Sequence, residues 1–396
     1  MSLRKVYLDH ASNTPLLPEV KEAMAPFLNG EFGNPSTLHA MGRRASRALE
    51  EAREKVALLI GARSDEIIFT SCGTESNNQA LKGLAAANEK KGRHLIVSKI
   101  EHPSVLYAAR RLERQGFRVT QVGVDRTGLV DPEEVRRTIE PDTILISIML
   151  ANGELGTIEP IEEISAIAKE KGILVHTDAV SACGSIPVDV GRLGVDALSL
   201  SANQFYGPSG AAALYLRRGV RIVPWFDGGG QEEGRRSGTE NLPAIIGMGK
   251  AAELAASDLN HRREHLLALR DSLEEGLLSL ERVIRNGHPL QRLAGHLSVS
   301  VAGVESESLL LALDREGIYA SSGSACNSKA MKASHVLQAI GLDPQWAQGT
   351  LLFTLGLSNR AEEIDYVLEV FPTVLRQLRR VSSSDEAKRL ITREAK

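Results

Sequence analysis

The feature that most constrains the fold of this chain is a repeated alternation of short apolar runs with helical patterns, from about residue 46 to residue 216. Clear helical periodicity covers residues 47–59 and 161–171. The apolar runs predict strands at residues 67–70, 95–98, 143–149, 174–177, 197–200 and 211–215. Strands that alternate with helices are typical of parallel sheets. The sequence therefore predicts an α/β fold with a mixed, mainly parallel sheet covered by helices.

A second structural unit is predicted after the glycine-rich stretch at residues 228–239. A long helical segment at about 243–280 leads into a strand, a helix, a strand and a helix at 297–301, 305–316, 351–354 and 361–378. This order predicts a compact α+β module, and 396 residues are enough for two domains. We expect a large α/β domain at 16–260, a small α+β domain from 1–15 and 261–380, and a flexible tail at 381–396.

The composition excludes several classes of protein. Charged residues make up 24% of the chain and apolar residues 42%, as in ordinary globular proteins. No apolar run approaches the ~20 residues that span a bilayer, and the N-terminus has no signal-peptide pattern. A net charge of −3 provides no field that would attract nucleic acid. We therefore expect a cytoplasmic protein that binds neither membranes nor bulk nucleic acid.

Three polar features follow predicted strands, where ligands of α/β sheets bind. The turn at residues 70–76 opens a helix and offers N–H groups and hydroxyls to an anion, although many such turns only cap helices. His102 follows a second strand and Asp178 ends a third. Alone, each is more often a core or capping residue.

Cys326 lies in a loop of small residues at 320–328, which favours an exposed thiol.

The segment 199–208, Ser-Leu-Ser-Ala-Asn-Gln-Phe-Tyr-Gly-Pro, resembles the cofactor loop of the NifS/IscS-type cysteine desulfurases. These are class V aminotransferases of PLP-dependent transferase fold type I. The segments at 7–11, 32–35 and 363–365 extend the resemblance over nearly the whole chain. The resemblance implies a large domain with a mainly parallel sheet of the seven-stranded type and a small α+β domain. It also implies a homodimer that uses pyridoxal phosphate (PLP).

The resemblance also implies roles for individual residues. Gly73 and Thr74 lie in the turn that holds the PLP phosphate, together with Ser201 and Thr239, the last contributed by the partner subunit. His102 would stack on the pyridine ring. Asp178 would pair with the ring nitrogen. Cys326 would take sulfur from cysteine and carry it as a persulfide to an acceptor protein.

At five positions with roles in the family's reaction, this chain has a different residue. Gln204 stands where the family has the lysine that forms the Schiff base with PLP and moves the substrate's Cα proton, and an amide can do neither. Leu352 replaces the arginine that clamps the substrate carboxylate, which removes a bidentate contact. The three other changes are Asn203 for histidine, Gly153 for asparagine and Ser181 for glutamine.

Three hypotheses of function follow. In the first, the protein serves iron–sulfur cluster assembly, and Cys326 carries a persulfide or provides a ligand to a cluster shared with a scaffold partner. In the second, the protein is a slow cysteine desulfurase with noncovalently bound PLP, in which Cys326 or Lys329 moves the proton. In the third, Cys72, Cys183 and Cys326 form a metal or cluster site in the old cofactor pocket.

Overall fold

The computed structural model describes residues 4–323 and 334–394, with side chains up to residue 380. Its largest sheet has seven strands. Along the sheet they follow in the order β2 (Ile67–Thr70), β8 (Ala212–Leu216), β7 (Ala197–Ser201), β6 (Leu174–Asp178), β5 (Thr143–Ser147), β3 (His94–Ser98) and β4 (Arg118–Val122). β8 pairs antiparallel with both of its neighbours, and all other pairs are parallel. The predicted mixed, mainly parallel sheet is confirmed.

Helices cover both faces of this sheet because its strands are apolar on both sides. Ile67 and Phe69 of β2 pack into one hydrophobic cluster, whereas Ile68 between them packs into another on the opposite face. The helices before and between the strands are α1 (Pro18–Asn29), α2 (Ala40–Leu59), α3 (Gly73–Asn88), α4 (Pro103–Glu113), α5 (Pro132–Thr138), α6 (Ile161–Glu170) and α7 (Val190–Leu193).

A separate core lies around a smaller antiparallel sheet of β9 (Val283–Asn286), β10 (His296–Val301) and β12 (Thr350–Thr354). After β8, the described residues also form α8 (Leu242–Leu278), α9 (Ser306–Arg315), β11 (Ile318–Tyr319), α10 (His335–Ala339), α11 (Pro344–Ala347) and α12 (Ala361–Glu394). β11 pairs in parallel with β1 (Val6–Tyr7), which ties the N-terminus to this part of the molecule.

The long helix α8 contributes to both cores. Ile245 and Met248 in its first half pack against the large sheet, and Leu269 and Leu273 in its second half pack against the small one. At Asp258 between them, the backbone leaves helical geometry, with φ −128° and ψ 15°. This position lies near the predicted domain boundary at 260/261, which stays a prediction.

The observed elements differ from the predicted ones at an edge of the large sheet and at helix ends. The apolar pattern predicts no strand at Arg118–Val122, since this edge strand is mostly polar and partly exposed. α2 begins at Ala40 because the His39 side chain accepts the Gly42 N–H as an N-cap. The backbone of α12 is helical to Glu394, beyond the predicted end at 378. The predicted flexibility of residues 381–396 stays a prediction.

No helix in the described part of the chain is long and apolar enough to cross a membrane.

Candidate functional site

A cavity of about 540 Å³ lies beyond the carboxyl ends of the central parallel strands. Its wall includes His102 after β3, Gly153 after β5, Asp178 at the end of β6 and Ser201 at the end of β7. Loops at these strand ends diverge and leave a crevice, which is where ligands of such sheets bind. Leu352 of β12 closes the cavity from the side of the small sheet. The cavity is therefore built from elements of both cores.

The N-terminus of α3 forms one end of the cavity. Gly73 and Thr74 line it at the first positions of this helix, and the N-cap residue Cys72 makes no side-chain cap. The N–H groups of the first helical turn are thus available to a bound anion, which the helix dipole also favours. A Cβ atom at Gly73 would come within 2.6 Å of the Val180 side chain, so this close approach requires glycine.

Asp178 and His102 are joined through two intervening side chains. Asn77 donates hydrogen bonds to the Asp178 carboxylate at 2.6 Å and to Ser104 Oγ at 2.9 Å. His102 Nδ1 lies 2.7 Å from the same Ser104 Oγ and accepts the Ser104 N–H at 3.1 Å. The Val180 N–H also donates to Asp178, at 3.0 Å. Burial raises the pKa of Asp178, and these hydrogen bonds oppose that effect.

The His102 hydrogen bonds define which ring nitrogen carries the proton. Because Nδ1 accepts a backbone N–H, the neutral ring must carry its hydrogen on Nε2. His102 therefore offers a donor, and not a lone pair, at its other ring nitrogen.

All five positions at which the sequence analysis predicts a departure from the family lie on this cavity wall. Gly153 and Ser181 are neighbours there, since a Cβ atom at position 153 would lie 3.0 Å from Ser181 Oγ. Asn203 accepts a 2.7 Å hydrogen bond from Ser201 Oγ. Gln204 Nε2 donates to the carbonyl of Ala11 at 2.8 Å.

Leu352 is 3% exposed in the middle of β12. Its backbone bonds with Ser321 and its strand neighbour is Ser298. Of the described residues that line the cavity, none is lysine or arginine, whereas three carry carboxyl groups: Glu101, Glu154 and Asp178. A ligand carboxylate therefore finds no Lys or Arg side chain among these residues, and the α3 N-terminus is the anion-binding part of the wall.

Two of these carboxyl groups were not singled out from the sequence. Glu101 is fully buried; Oε1 accepts from Ser98 Oγ and the Met149 N–H, at 2.6 and 2.9 Å. Burial raises the pKa of Glu101 to about 8 and that of Glu154 to about 7. His335 and Asn77, also on the wall, were missed as well. The position of Glu154 beside Gly153, after a predicted strand, was the one available signal.

The three cysteines are not equivalent. Cys72 is exposed and lines the cavity, but Cys183 is fully buried in the core of the large sheet, where burial strongly raises the pKa of its thiol. Cys326, like Lys329, lies outside the described residues. Within the described ranges, no group of three or more His, Cys, Asp or Glu side chains could hold a metal ion. The position of Cys183 speaks against the three-cysteine site.

Thr239 does not line this cavity. Within one protomer it lies in a separate small cavity, together with Glu232 and Arg236. Glu232 is held there by Arg53, through bonds of 2.7 and 2.8 Å, and Arg236 is held by Glu75. The contribution of Thr239 to a partner's site stays a prediction.

The cavity residues fit the parts of PLP unequally. The α3 N-terminus and Ser201 suit a phosphate group, and the buried Asp178 carboxylate suits a protonated ring nitrogen. No lysine among the described wall residues could bind the aldehyde covalently. The fit therefore extends to the phosphate and the ring but not to the covalent anchor.

Comparisons with known proteins agree on the family. The model of the Aminotransferase class-V family matches residues 6–367. Relatives named cysteine desulfurase IscS from Methanosarcina thermophila and Dictyoglomus turgidum are 51% and 52% identical to this chain. Both matches cover 96% of this chain, and they cover 94% and 96% of the respective relatives.

Solved structures give the same result. A structure described as a NifS-like protein superposes with a TM-score of 0.90 at 40% identity, covering 95% of this chain and all of that one. Another, described as SspA in complex with cysteine, has a TM-score of 0.80 at 36% identity and covers 89% of this chain and 99% of that one. The chain therefore belongs to the class-V aminotransferase family, of PLP-dependent transferase fold type I, and is a homologue of the IscS/NifS cysteine desulfurases within it.

Proposed function

We propose that this protein is a homodimeric, cytoplasmic sulfur-transfer protein of iron–sulfur cluster assembly, with Cys326 as its sulfur-carrying thiol. The thiolate of Cys326 would accept a persulfide sulfur, or ligate a cluster that forms on a scaffold partner. Efficient release of sulfur from free cysteine by the family's usual chemistry is not expected. The observation that carries the proposal is that the five residues predicted to depart from the family line one cavity, together with an anion-binding helix N-terminus and the buried Asp178.

The persisting residues define what the cavity can still hold. The N–H groups of Gly73 and Thr74 and the Ser201 hydroxyl would bind a phosphate, and Asp178, oriented by Asn77, would bind the ring N–H of PLP. When bound, PLP supplies a ring that withdraws electrons from the carbon beside an amine. Such binding would be noncovalent, because Gln204 has no amine to offer. The cavity would then hold PLP weakly, or not at all in cofactor-poor conditions.

The altered residues explain why turnover is expected to be impaired. Loss of a positioned proton acceptor typically lowers a rate by about 10²- to 10⁴-fold. Leu352 adds a second defect, because an aliphatic side chain cannot orient the substrate carboxylate. Sulfane sulfur would then pass to the Cys326 thiolate from an external persulfide, whose inner sulfur leaves as a thiolate, and Gln204 would not affect that step.

The decisive experiment measures sulfide release from L-cysteine by the purified protein with excess PLP. We expect no release above background from the natural chain and measurable release from Gln204→Lys or from Gln204→Lys/Leu352→Arg. In parallel, cluster formation on a scaffold protein supplied with sulfide and iron should depend on Cys326. Cys326→Ala should abolish that cluster formation, and Cys72→Ala should leave it unchanged. Cluster formation that is unchanged in Cys326→Ala would refute the proposed role.

A second candidate function is a slow cysteine desulfurase with noncovalently held PLP. The intact hydrogen-bonded chain from Asp178 through Asn77 to His102 favours it, since these groups serve a bound ring. Sulfide release by the natural chain that requires PLP and disappears in Cys326→Ala would establish this function. Iron analysis of the protein purified without oxygen tests the third candidate, a resident cluster, for which we expect only substoichiometric iron.

A further inference from the structure

The electrostatic character of the cavity wall points to the charge of its ligand. Glu101, Glu154 and Asp178 line the cavity, and neither lysine nor arginine does so among the described residues. In a partly desolvated space, an unpaired ligand carboxylate is disfavoured beside other carboxyl groups, and a cation is favoured. Leu352 provides only an aliphatic contact on the side of the small sheet.

Glu154 offers one open hydrogen-bond acceptor. Its Oε2 accepts the Ser334 hydroxyl at 2.6 Å, which fixes the orientation of the carboxyl group. Its Oε1 has no hydrogen-bond partner among the described residues. An N–H group of a ligand could therefore complete the hydrogen bonding of this carboxylate.

His335, which lines the same cavity as Glu154, offers a second acceptor. It follows Ser334 in the chain, and consecutive Cα atoms are only about 3.8 Å apart. Its Nε2 lies 2.9 Å from the carbonyl of Glu101, which can only accept, so Nε2 must carry the hydrogen. Nδ1 then has a lone pair and no partner among the described residues. Burial lowers the pKa of His335, which favours this neutral form.

We propose that Glu154 and His335 bind a primary ammonium group, and that the cavity prefers an aminothiol without a carboxylate, such as cysteamine, over an amino acid. This inference names the ligand class of the sulfur-transfer site and so rests on the proposed function. A primary ammonium has three donors, two of which would satisfy Glu154 Oε1 and His335 Nδ1. No arginine is needed, because the ligand brings no carboxylate.

The test compares two thiols that have the same two-carbon spacer and opposite charge. Binding of cysteamine and of 3-mercaptopropionate to the full chain is measured by calorimetry at pH 8, with reductant and without added PLP. That pH lies above the value of about 7 to which burial raises the pKa of Glu154. We expect cysteamine to bind at least about tenfold more tightly, since hydrogen bonds to charged groups are involved.

Substitutions test which residues bind the ammonium group of the ligand. Glu154→Gln and His335→Gln should each weaken cysteamine binding by about tenfold. The matched control is His265→Gln, because His265 Nε2 also bonds a backbone carbonyl, that of Asn359 at 3.1 Å, outside the cavity. Binding to the control should be unchanged. Leu352→Arg should raise the affinity for 3-mercaptopropionate, because it restores a cation to the wall.

A readout independent of affinity comes from ¹⁵N NMR of histidine-labelled protein. The His335 signals should report hydrogen on Nε2 and a bare Nδ1, and cysteamine should shift the Nδ1 signal. Equal affinity for the two thiols, absence of cysteamine binding, or unchanged binding in both cavity variants would overturn the inference. Because Cys326→Ala should still bind cysteamine, failure of the ligand assignment is distinguishable from failure of the sulfur-transfer proposal.

Discussion

The side-chain amide of Gln204 donates a 2.8 Å hydrogen bond to the backbone carbonyl of Ala11, in the segment that follows β1. Gln204, which lines the cavity, is thus tied to the N-terminal segment of the chain. Replacing it with lysine exchanges one neutral hydrogen bond for an amine that can turn toward the cavity.

We therefore expect Gln204→Lys to change the free energy of unfolding by no more than about 1 kcal/mol, the net contribution of one hydrogen bond. After incubation with PLP and borohydride reduction, the variant should carry one covalent cofactor on the introduced lysine, as shown by peptide mass spectrometry. The natural chain and the exposed control Gln121→Lys should carry none at the corresponding positions. Labelling of the natural chain to the same extent would contradict this prediction.

The buried carboxyl group of Glu101 makes stability depend on pH. An unfolded glutamate has a pKa near 4.3, and burial raises that of Glu101 to about 8. Between these values the folded protein keeps a proton that the unfolded chain has released, so this group lowers stability as pH rises from about 5 to 8. Glu101→Gln, which mimics the protonated form, should remove that slope.

Urea unfolding at pH 5 and pH 8 measures the effect. The free energy of unfolding of the natural chain should fall by about 1 to 3 kcal/mol more than that of Glu101→Gln over this range. The exposed control Glu307→Gln should follow the natural chain. Parallel pH profiles for the natural chain and Glu101→Gln would show that Glu101 does not hold the extra proton.

Arg53 and Glu232 form a buried ion pair that joins α2 to the loop carrying Thr239. Their side chains are 9% and 2% exposed, and Glu232 also accepts the Phe69 N–H at 2.8 Å. Removing one partner leaves an uncompensated buried charge. We expect Arg53→Met to lower the free energy of unfolding by about 3 to 5 kcal/mol.

The matched comparison is the surface pair of Arg63 and Asp65, whose side chains are 65% and 43% exposed. Arg63→Met should lower stability by no more than about 1 kcal/mol, because water screens that pair. The double variant Arg53→Met/Glu232→Gln should recover part of the loss. Chemical denaturation of the four proteins tests both statements, and equal losses for the two single variants would refute the distinction.

Cys72 and Cys183 should differ sharply in reactivity toward iodoacetamide. Cys72 is exposed on the cavity wall, whereas Cys183 is fully buried with a raised pKa, and the thiolate is the reactive form. Peptide mass spectrometry of the folded protein at pH 8 should show alkylated Cys72 and unmodified Cys183. After denaturation both should be labelled. Rapid labelling of Cys183 in the folded state would show that the core around it opens.

Much of the fold was predictable because the spacing of apolar residues along the chain indicates which residues are buried. The strands at 67–70 and 197–200 were predicted from their apolar runs, and the structure confirms them with one added residue in the second. The strand Arg118–Val122 escaped prediction because an edge strand can remain polar. The N-terminus of α2 depended on a histidine cap, which the helical pattern alone does not reveal.

The site was predictable only in part. Gly73, Thr74, His102, Asp178 and Ser201 were selected through a family resemblance, and the structure brings them to one cavity. Glu154 and His335 carried no comparable signal, since an isolated glutamate or histidine is usually a surface or core residue. They became candidates only through the hydrogen bonds that their side-chain atoms form, and leave unformed, among the described residues.

The α/β pattern and the family could be predicted from the sequence, because they depend on local periodicity and on the order of residue types. Five departures from the family were also predicted from the sequence, and they stay predictions. The tertiary structure alone places the five positions on one cavity wall, seals Cys183 in the core, and puts Glu154 and His335 on that same wall. The physical reason is that the crossovers of a parallel sheet bring distant segments together at its carboxyl edge. Burial, open acceptors and pKa shifts are properties of that assembled surface and not of the residues along the chain.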